Sequence, residues 1–348
     1  MKTVLEVIQA TTAFFEKNGV ESARLNIEHL LAHVLKKKRR VDLYLEFDRG
    51  LSEAELEPLR VLVKRRARGE PLQHLLGTVE FFGREFRCDG RALVPRPETE
   101  HLVELILQNL LPVTRAPKPR WAELAAAAAA REEAAADGAA SESEATTPLA
   151  AAGVVSEKIE TTTAAISPLP ADARVLDVGT GSGIIALTLA AERPALRVAA
   201  VDASRAALAL ARENAEALGL AQRVEFSRGD LFQGAPTGPF DLVVANLPYV
   251  PAGEIANLAP EVRDFDPREA LDGGADGLTL VARLIAEAPA HAPPATAAGS
   301  ALHLALEIGH AQAAEVVNLL IEAGYEDVRT ERDFQGVARF VFAKIRGG

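Results

Sequence analysis

The spacing of hydrophobic and polar residues changes along the chain. In residues 1–75 apolar residues recur every three or four positions, as in VLEVIQATTAFFEKNG, and this spacing predicts amphipathic helices. From Arg174 onward, short apolar runs such as ARVLDVG and RVAAVDAS alternate with longer helical segments. Strands that alternate with helices are typical of a parallel sheet. The sequence therefore predicts a small helical N-terminal domain followed by an α/β domain.

Polar residues mark the expected ends of the helices in the first part of the chain. Gly19 is expected to end the first helix and Ser22 to cap the second. Ser52, with Glu55 three residues later, matches the capping-box pattern at the start of a third helix. After these helices, EFFGREFRC predicts a short hairpin, and PRPETEHLVELILQNLL predicts a turn followed by an amphipathic helix.

Residues 112–172 have a different composition. Alanine supplies 20 of these 61 residues, and Pro, Thr, Ser and Glu fill most of the remainder. The stretch AELAAAAAAREEAAA has the propensity to form a helix, but the segment has few large side chains to bury. We therefore expect a flexible insertion here, to which the composition assigns no function.

Charge and cysteine content narrow the possible functions. The net charge of −11 is uneven: residues 1–100 hold 18 Lys+Arg and 16 Asp+Glu, whereas the remainder holds 20 and 33. An acidic α/β part is poorly suited to bind a phosphate backbone. Cys88 is the single cysteine, which excludes an intrachain disulfide and favours a reducing compartment. With no apolar run of the roughly 18 residues that a membrane span needs, the expectation is a soluble, cytoplasmic protein.

The first candidate for chemistry is the glycine-rich turn VLDVGTGSG. Gly179, Gly181 and Gly183 follow a predicted buried strand and precede a helix. Glycines let the backbone turn sharply and approach a ligand, and the helix start offers unpaired N–H groups. Ile184 occupies the position where a dinucleotide-binding fingerprint requires glycine. The turn predicts a small-molecule site, and a tight turn without ligand is the alternative.

Two acidic residues follow at the ends of the next predicted strands. Asp202 could accept hydrogen bonds from two ribose hydroxyls, and Asp230 from the exocyclic amine of an adenine beside Leu231 and Phe232. Taken singly, each aspartate could equally be a helix N-cap. Because ligands bind at the carboxyl ends of parallel strands, acidic groups on neighbouring strand ends favour the ligand interpretation.

The fourth strand end carries an amide in the stretch VVANLPYV. The oxygen of Asn246 and the carbonyl of Leu247 could accept the two hydrogens of a planar NH2 group. Pro248 makes the corner rigid, and Tyr249 offers a ring face to a planar group. The sequence thus predicts a site for a planar amino or amide nitrogen; a structural turn capped by asparagine is the alternative.

These stretches carry a resemblance to a known family. DVGTGSG, VDAS and NLPY resemble S-adenosylmethionine-dependent methyltransferases that act on planar nitrogens. GEPLQHLLGTVEFFG, LVPRPETEHLVE and DPREALDGGADGL resemble the HemK-type protein-(glutamine-N5) methyltransferases, over nearly the whole chain outside residues 112–172. That family usually has Asn-Pro-Pro-Tyr, whereas Leu247 here gives Asn-Leu-Pro-Tyr, which is also typical of rRNA adenine dimethylases.

The resemblance implies a Rossmann-like class I methyltransferase fold, S-adenosyl-L-methionine as the cofactor and a defined substrate. The substrate would be the glutamine of the Gly-Gly-Gln motif in peptide-chain release factors. It implies a substrate-docking domain at 1–75, a hairpin and connecting helix at 76–111, the insertion at 112–172 and the methyltransferase domain at 173–348. We also expect a monomer, and the acidic α/β part disfavours direct nucleic-acid binding.

Site residues are implied position by position. The cofactor residues would be Gly179, Thr180, Gly181, Ser182, Gly183, Asp202, Asp230, Leu231 and Asn246. The substrate residues would be Asn246, Leu247, Pro248 and Tyr249, of which Asn246, Pro248 and Tyr249 are the catalytic candidates. The reaction needs no metal, because the sulfonium methyl group is already electrophilic.

Two other functions stay open on the sequence. One is an adenine-N6 methyltransferase acting on RNA or DNA, because adenine presents the same planar NH2. The other is a binding module without activity on a methyltransferase fold. The acidic α/β part disfavours the first, and the intact motifs disfavour the second.

Overall fold

The computed structural model describes residues 2–112, 168–294 and 300–346. Most of the predicted alanine-rich insertion, residues 113–167, lies outside this part of the chain. The described helices are α1 (Val4–Lys17), α2 (Ala23–Val34), α3 (Glu53–Arg66), α4 (Leu72–Leu76), α5 (Pro97–Asn109), α6 (Ile184–Glu192), α7 (Arg205–Ala217), α8 (Pro260–Arg263), α9 (Thr279–Glu287) and α10 (Ala313–Glu322). None of these helices is both long and apolar enough to cross a membrane.

The described strands form a hairpin and one large sheet. The hairpin strands are β1 (Thr78–Phe81) and β2 (Arg84–Arg87), and the sheet strands are β3 (Arg174–Val178), β4 (Arg197–Asp202), β5 (Val224–Arg228), β6 (Leu242–Asn246), β7 (Leu302–Glu307), β8 (Glu326–Arg332) and β9 (Ala338–Ile345). The hairpin and the alternation of strands and helices after Arg174 match those expected from the hydrophobic pattern.

The helices α1 to α4 enclose a core of their own, which contains Phe15, Ile27, Leu30 and Leu43. Glu55 accepts hydrogen bonds from the Ser52 backbone N–H and hydroxyl at the start of α3, as the capping-box pattern predicted.

The prediction that Ser22 is the N-cap residue of α2 is confirmed for its position but not for its side chain. Ser22 stands at the N-cap position, but its backbone is left-handed, with φ of 47°, and its side chain makes no capping hydrogen bond. An N-cap side chain reaches the helix N–H groups from an extended backbone, which this left-handed conformation does not provide.

The large sheet has the strand order β5-β4-β3-β6-β7-β9-β8. Strands β3 to β7 are parallel, and β9 runs antiparallel to both β7 and β8. Helices α5 and α6 pack on one face, while α9 and α10 pack on the other. A mostly parallel sheet covered on both faces is the doubly wound arrangement. The predicted Rossmann-like sheet with a small helical N-terminal domain is confirmed.

The order of the strands decides which side chains meet. Because the parallel strands end at one edge, the turn after β3, the end of β4 and the end of β6 face the same side of the sheet. The register also pairs Asn246 at the end of β6 with Glu307 at the end of β7. Helix α5 packs against β7, so its first turn reaches this edge.

Candidate functional site

A cavity opens at the carboxyl ends of the parallel strands. Most of the site residues predicted from the sequence line it: Gly179, Thr180, Gly181, Ser182, Asp202, Asp230, Leu231, Asn246, Leu247 and Pro248. Gly183 and Tyr249 are the two predicted residues that do not line it. Segments far away in sequence complete the wall, including Ala92, Thr99, Glu269 and Leu280.

A buried carboxylate fixes the shape of the glycine-rich turn. Asp177 is fully buried in β3 and accepts hydrogen bonds from the Thr180 hydroxyl at 2.7 Å and the Ala186 backbone N–H at 3.1 Å. Burial raises its pKa to about 7, against these two hydrogen bonds, which lower it. Asp177 was not among the predicted site residues, although VLDVG places an acidic residue inside a predicted buried strand.

Gly183 serves helix packing rather than the cavity. Its φ is 83°, and a Cβ placed on it would lie 3.1 Å from the Cβ of Ala211 and 3.1 Å from Cδ1 of Leu187. Glycine at this position lets α6 start close to α7.

Asp202 is held at the mouth of the cavity by backbone donors. Its carboxylate accepts from the N–H of Gly181 and from the N–H of Ser204, both at 2.8 Å. The alternative of a helix N-cap is wrong, because Ser204 occupies that position and its hydroxyl accepts from the Ala207 N–H. A carboxylate has about four acceptor sites, so Asp202 retains capacity for two ligand hydroxyls.

The neighbourhood of Asp230 is more open. Asp230 lines the cavity and forms an ion pair with Arg283 at 3.0 Å, in which both side chains are close to half exposed. Leu231 has φ of 52° and is buried against the cavity. The ring of Phe232 instead stacks on His291, with ring centroids 4.4 Å apart, and does not line the cavity. Of the two apolar candidates beside a bound ring, the structure presents Leu231.

Asn246 is held by side chains that the sequence analysis missed. Its Nδ2 donates to the hydroxyl of Thr99 at 3.1 Å, and that hydroxyl donates to the carboxylate of Glu307 at 2.8 Å. Thr99 and Glu307 are 2% and 1% exposed. Burial raises the pKa of Glu307 to about 7, although the hydrogen bond from Thr99 and the charge of Arg339 lower it.

The corner after Asn246 packs closely on the glycine-rich turn. A Cβ on Gly179 would lie 2.9 Å from Cδ2 of Leu247, so the Leu247 side chain occupies the space that this glycine leaves free. The side chain of residue 247 therefore takes part in the site, whereas the sequence analysis considered only its carbonyl.

A second glycine-rich loop braces the backbone of the corner. A Cβ on Gly273 would lie 2.7 Å from the carbonyl oxygen of Pro248, and one on Gly277 would lie 2.3 Å from that of Tyr249. Gln312 donates from Nε2 to the same Tyr249 carbonyl at 3.0 Å. These contacts explain the glycines of DPREALDGGADGL physically: they let the loop approach the backbone of the corner.

The remaining motif segments contact each other beside the cavity. The carboxylate of Asp266 accepts from the Val94 N–H at 3.0 Å and from Arg96 at 2.7 Å. Burial raises the pKa of Asp266, and Arg96 is the largest opposing influence. The stretches LVPRPETEHLVE and DPREALDGGADGL, which are remote in sequence, are thus joined beside the cavity.

Comparison with known proteins gives two family-model matches, one in the helical part of the chain and one in its middle. Residues 6–77 match the family model of the PrmC N-terminal domain, and residues 148–261 match that of the methyltransferase small domain. A solved protein-(glutamine-N5) methyltransferase (release factor-specific) from Alicyclobacillus acidocaldarius is 24% identical, with a TM-score of 0.33 and coverage of 76% of this chain and 100% of that one.

Sequence relatives extend over the full length. The release factor glutamine methyltransferase of Geobacter sulfurreducens is 35% identical over 99% of this chain and 97% of its own. That of Nitratidesulfovibrio vulgaris is 36% identical over 94% of this chain and 90% of its own. These relationships confirm the resemblance predicted from the motifs. The chain belongs to the release factor glutamine methyltransferase family.

Proposed function

We propose that this methyltransferase transfers a methyl group from S-adenosyl-L-methionine to the side-chain amide nitrogen of the glutamine in the Gly-Gly-Gln motif of peptide-chain release factors. One observation carries the proposal. The Asn246 amide is fixed in the same cavity as the glycine-rich turn and Asp202, so an acceptor for a planar NH2 lies beside a site suited to a nucleoside. The relatives named for this activity support it.

The cavity fits the proposed cofactor chemically. Asp202, Asp230 and Glu269 place three carboxylates on the cavity wall, against one cation among the described residues, Arg91, which is paired with Glu213. Carboxylates complement the positive charge of a sulfonium and an ammonium group, and Asp202 has acceptor capacity left for ribose hydroxyls. Leu231 offers an apolar surface beside Asp230 for the adenine ring. The bound cofactor would supply an electrophilic methyl carbon.

The protein's own task would be to orient a weak nucleophile. An amide nitrogen is weakly nucleophilic because its lone pair is delocalised into the carbonyl group. Acceptance of its two hydrogens by the oxygen of Asn246 and the carbonyl of Leu247 would direct the nitrogen and return electron density to it. Alignment of two reactants can supply roughly 7–11 kcal/mol of the barrier in favourable cases. In this scheme Pro248 keeps the corner rigid, and the proton becomes acidic only after transfer.

The helical domain at 1–75 would dock the release factor. It is tied to the site by Arg66, which donates to the side chains of Asn26 at 2.7 Å and Glu261 at 2.6 Å. Glu261 lies in α8, in the segment that follows the corner after β6. A protein held by α1 to α4 would therefore have a defined position relative to the cavity. We also infer action in the cytoplasm, where release factors take part in translation.

A methyl-transfer assay tests the proposal. The protein is incubated with radiolabelled S-adenosyl-L-methionine and, in separate reactions, purified release factor, release factor with Gln→Ala in the Gly-Gly-Gln motif, RNA and DNA. We expect label in the unaltered release factor alone. Label in the RNA or DNA, and none in the release factor, would instead establish the adenine-N6 alternative.

A further inference from the structure

Three side chains from three elements form a hydrogen-bonded chain behind the cavity. Asn246 at the end of β6 donates from Nδ2 to Thr99 in the first turn of α5, at 3.1 Å. Thr99 donates from its hydroxyl to Glu307 at the end of β7, at 2.8 Å. Strand register sets Asn246 beside Glu307, and Thr99 covers both from the helix.

The direction of this chain follows from the chemistry of its last member. An ionised carboxylate can only accept hydrogen bonds, so the single proton of the Thr99 hydroxyl points to Glu307. The Thr99 oxygen can then only accept a hydrogen bond, and among the described residues it accepts one from Nδ2 of Asn246. Oδ1 of Asn246 accepts from no donor among the described residues, and Asn246 lines the cavity.

We propose that Thr99 and Glu307 are positioning residues that fix the direction of the Asn246 amide, so that its oxygen, and not its NH2 group, faces the substrate nitrogen. The inference rests on the proposed function, because an acceptor is needed only if the substrate presents N–H groups. The two ends of an amide are almost equal in shape, so packing alone does not select between them. A rotated amide would place the NH2 group of Asn246, which is a donor, against the N–H donors of the substrate.

The surroundings of Glu307 support a directional role. Its carboxylate is 1% exposed, yet among the described ion pairs it takes part in none within 4.0 Å. The charged or titratable groups that act on it from neighbouring elements are Arg339 of β9, Glu98 of α5 and Tyr249 after β6. A buried carboxylate held by hydrogen bonds alone destabilises a fold relative to an apolar residue of similar size. The presence of the Glu307 carboxylate is explained if it sets the direction of the hydrogen bonds from Asn246 through Thr99.

The same arrangement predicts a dependence on pH. Burial raises the pKa of Glu307 to about 7. Protonated Glu307 can donate to the Thr99 oxygen, and the Thr99 hydroxyl can then donate to a rotated Asn246. The fraction of Asn246 with its oxygen toward the substrate should therefore fall as pH decreases through the pKa of Glu307. We expect kcat to show an acidic limb in that range.

Thr99→Val and its control Thr99→Ser test the inference by kinetics. Valine keeps the shape of threonine but lacks the hydroxyl, whereas serine keeps the hydroxyl. We expect Thr99→Val to lower kcat for release-factor methylation by roughly 10²-fold, the usual effect of losing one positioned hydrogen-bonding group in the transition state. We expect Thr99→Ser to remain within about threefold of wild type, and calorimetric affinity for S-adenosyl-L-methionine to change little in either, because the altered contact is on the substrate side.

A spectroscopic measurement tests the amide direction without any substrate. The chain has seven asparagines, so selective ¹⁵N-asparagine labelling gives seven side-chain amide pairs, and Asn246→Asp identifies the pair of Asn246. We expect the Asn246 amide protons to shift in Thr99→Val and to stay near the wild-type position in Thr99→Ser. An unchanged Asn246 pair in Thr99→Val overturns the inference, and so does unchanged kcat.

Glu307→Gln provides a second variant that does not depend on Thr99. Glutamine does not titrate, so the acidic limb of kcat should disappear while the protein retains cofactor affinity. An acidic limb with the same midpoint in Glu307→Gln overturns the role of Glu307. If wild type transfers no methyl group to release factor, the proposed function fails, and the amide spectra still decide the direction of Asn246.

Discussion

The glycine loop that braces the Asn246 corner gives a prediction whose size can be worked out from distances. Gly277 has φ of 79°, and a Cβ placed on it would lie 2.3 Å from the carbonyl oxygen of Tyr249. Real Cβ atoms do not approach below 3.0 Å, so Gly277→Ala must displace this backbone by about 0.7 Å. Tyr249 follows directly on Asn246, Leu247 and Pro248, the corner at which the substrate amide would bind.

The displacement should affect catalysis more than cofactor binding. A misplacement of about 1 Å at a reacting centre can lower a rate by roughly 10²-fold. For the smaller movement here we expect kcat to fall by roughly 30- to 100-fold, which corresponds to about 2–2.7 kcal/mol of transition-state free energy. The glycine-rich turn at 179–183 is not in contact with Gly277, so affinity for S-adenosyl-L-methionine should stay within about threefold of wild type.

Gly324→Ala is the matched control. Gly324 has φ of 83°, and a Cβ on it would meet nothing within 4 Å. Both variants therefore carry the left-handed backbone penalty of about 1–2 kcal/mol, but only Gly277→Ala carries the clash. Urea unfolding measures the shared loss of stability, and steady-state methylation of release factor measures the difference.

The comparison has a clear outcome that would refute the reasoning. If Gly277→Ala and Gly324→Ala have the same kcat, the loop does not position the corner. A parallel loss of cofactor affinity in Gly277→Ala would show instead that the clash propagates into the glycine-rich turn.

Three further expectations concern single residues. Asn246→Ala should lower kcat by at least roughly 10²-fold while calorimetry shows cofactor affinity largely intact; equal loss of both would contradict the assigned roles. Because burial raises the pKa of Asp177 to about 7, its contribution to stability is present below about pH 4 and is lost as pH rises through about 7. Asp177→Asn should therefore show a shallower fall in unfolding free energy than wild type between about pH 4 and pH 7, measured by urea unfolding at each pH; an identical slope would assign this titration to another group. The pKa of the buried Cys88 thiol is raised to about 12, so iodoacetamide should modify it only after unfolding. Rapid modification of the native protein, detected by mass spectrometry, would contradict that burial.

Local patterns in the sequence were sufficient for the secondary structure. The hairpin at 78–87 and helix α5 follow from alternation and from helical spacing, and the structure confirms both. Ser22 shows the limit of such patterns. Its residue type suits an N-cap and it stands at that position, but its backbone is left-handed and its side chain makes no capping hydrogen bond.

The sequence also located most of the cavity lining, because these residues stand at strand ends. In a parallel sheet every strand end of this kind faces one edge, so Gly179, Asp202, Asp230 and Asn246 could be grouped without knowing the strand order. Gly183 and Phe232 were also expected beside the ligand, but neither lines the cavity, and Phe232 stacks on His291. A residue next to a strand end can point to either side of the turn, and only packing selects the side.

What the sequence determined by itself is the α/β fold and the set of residues that converge at one edge, because both depend on periodicity and on the chemistry of short segments. What only the tertiary structure decided is the support of Asn246. Thr99 lies 147 residues before it, and the order β6-β7 with α5 packed on β7 brings Thr99 and Glu307 within hydrogen-bonding distance of this site. Hydrogen bonds require donor and acceptor to lie about 3 Å apart with the correct direction, and no local pattern in the chain encodes a distance between segments so far apart.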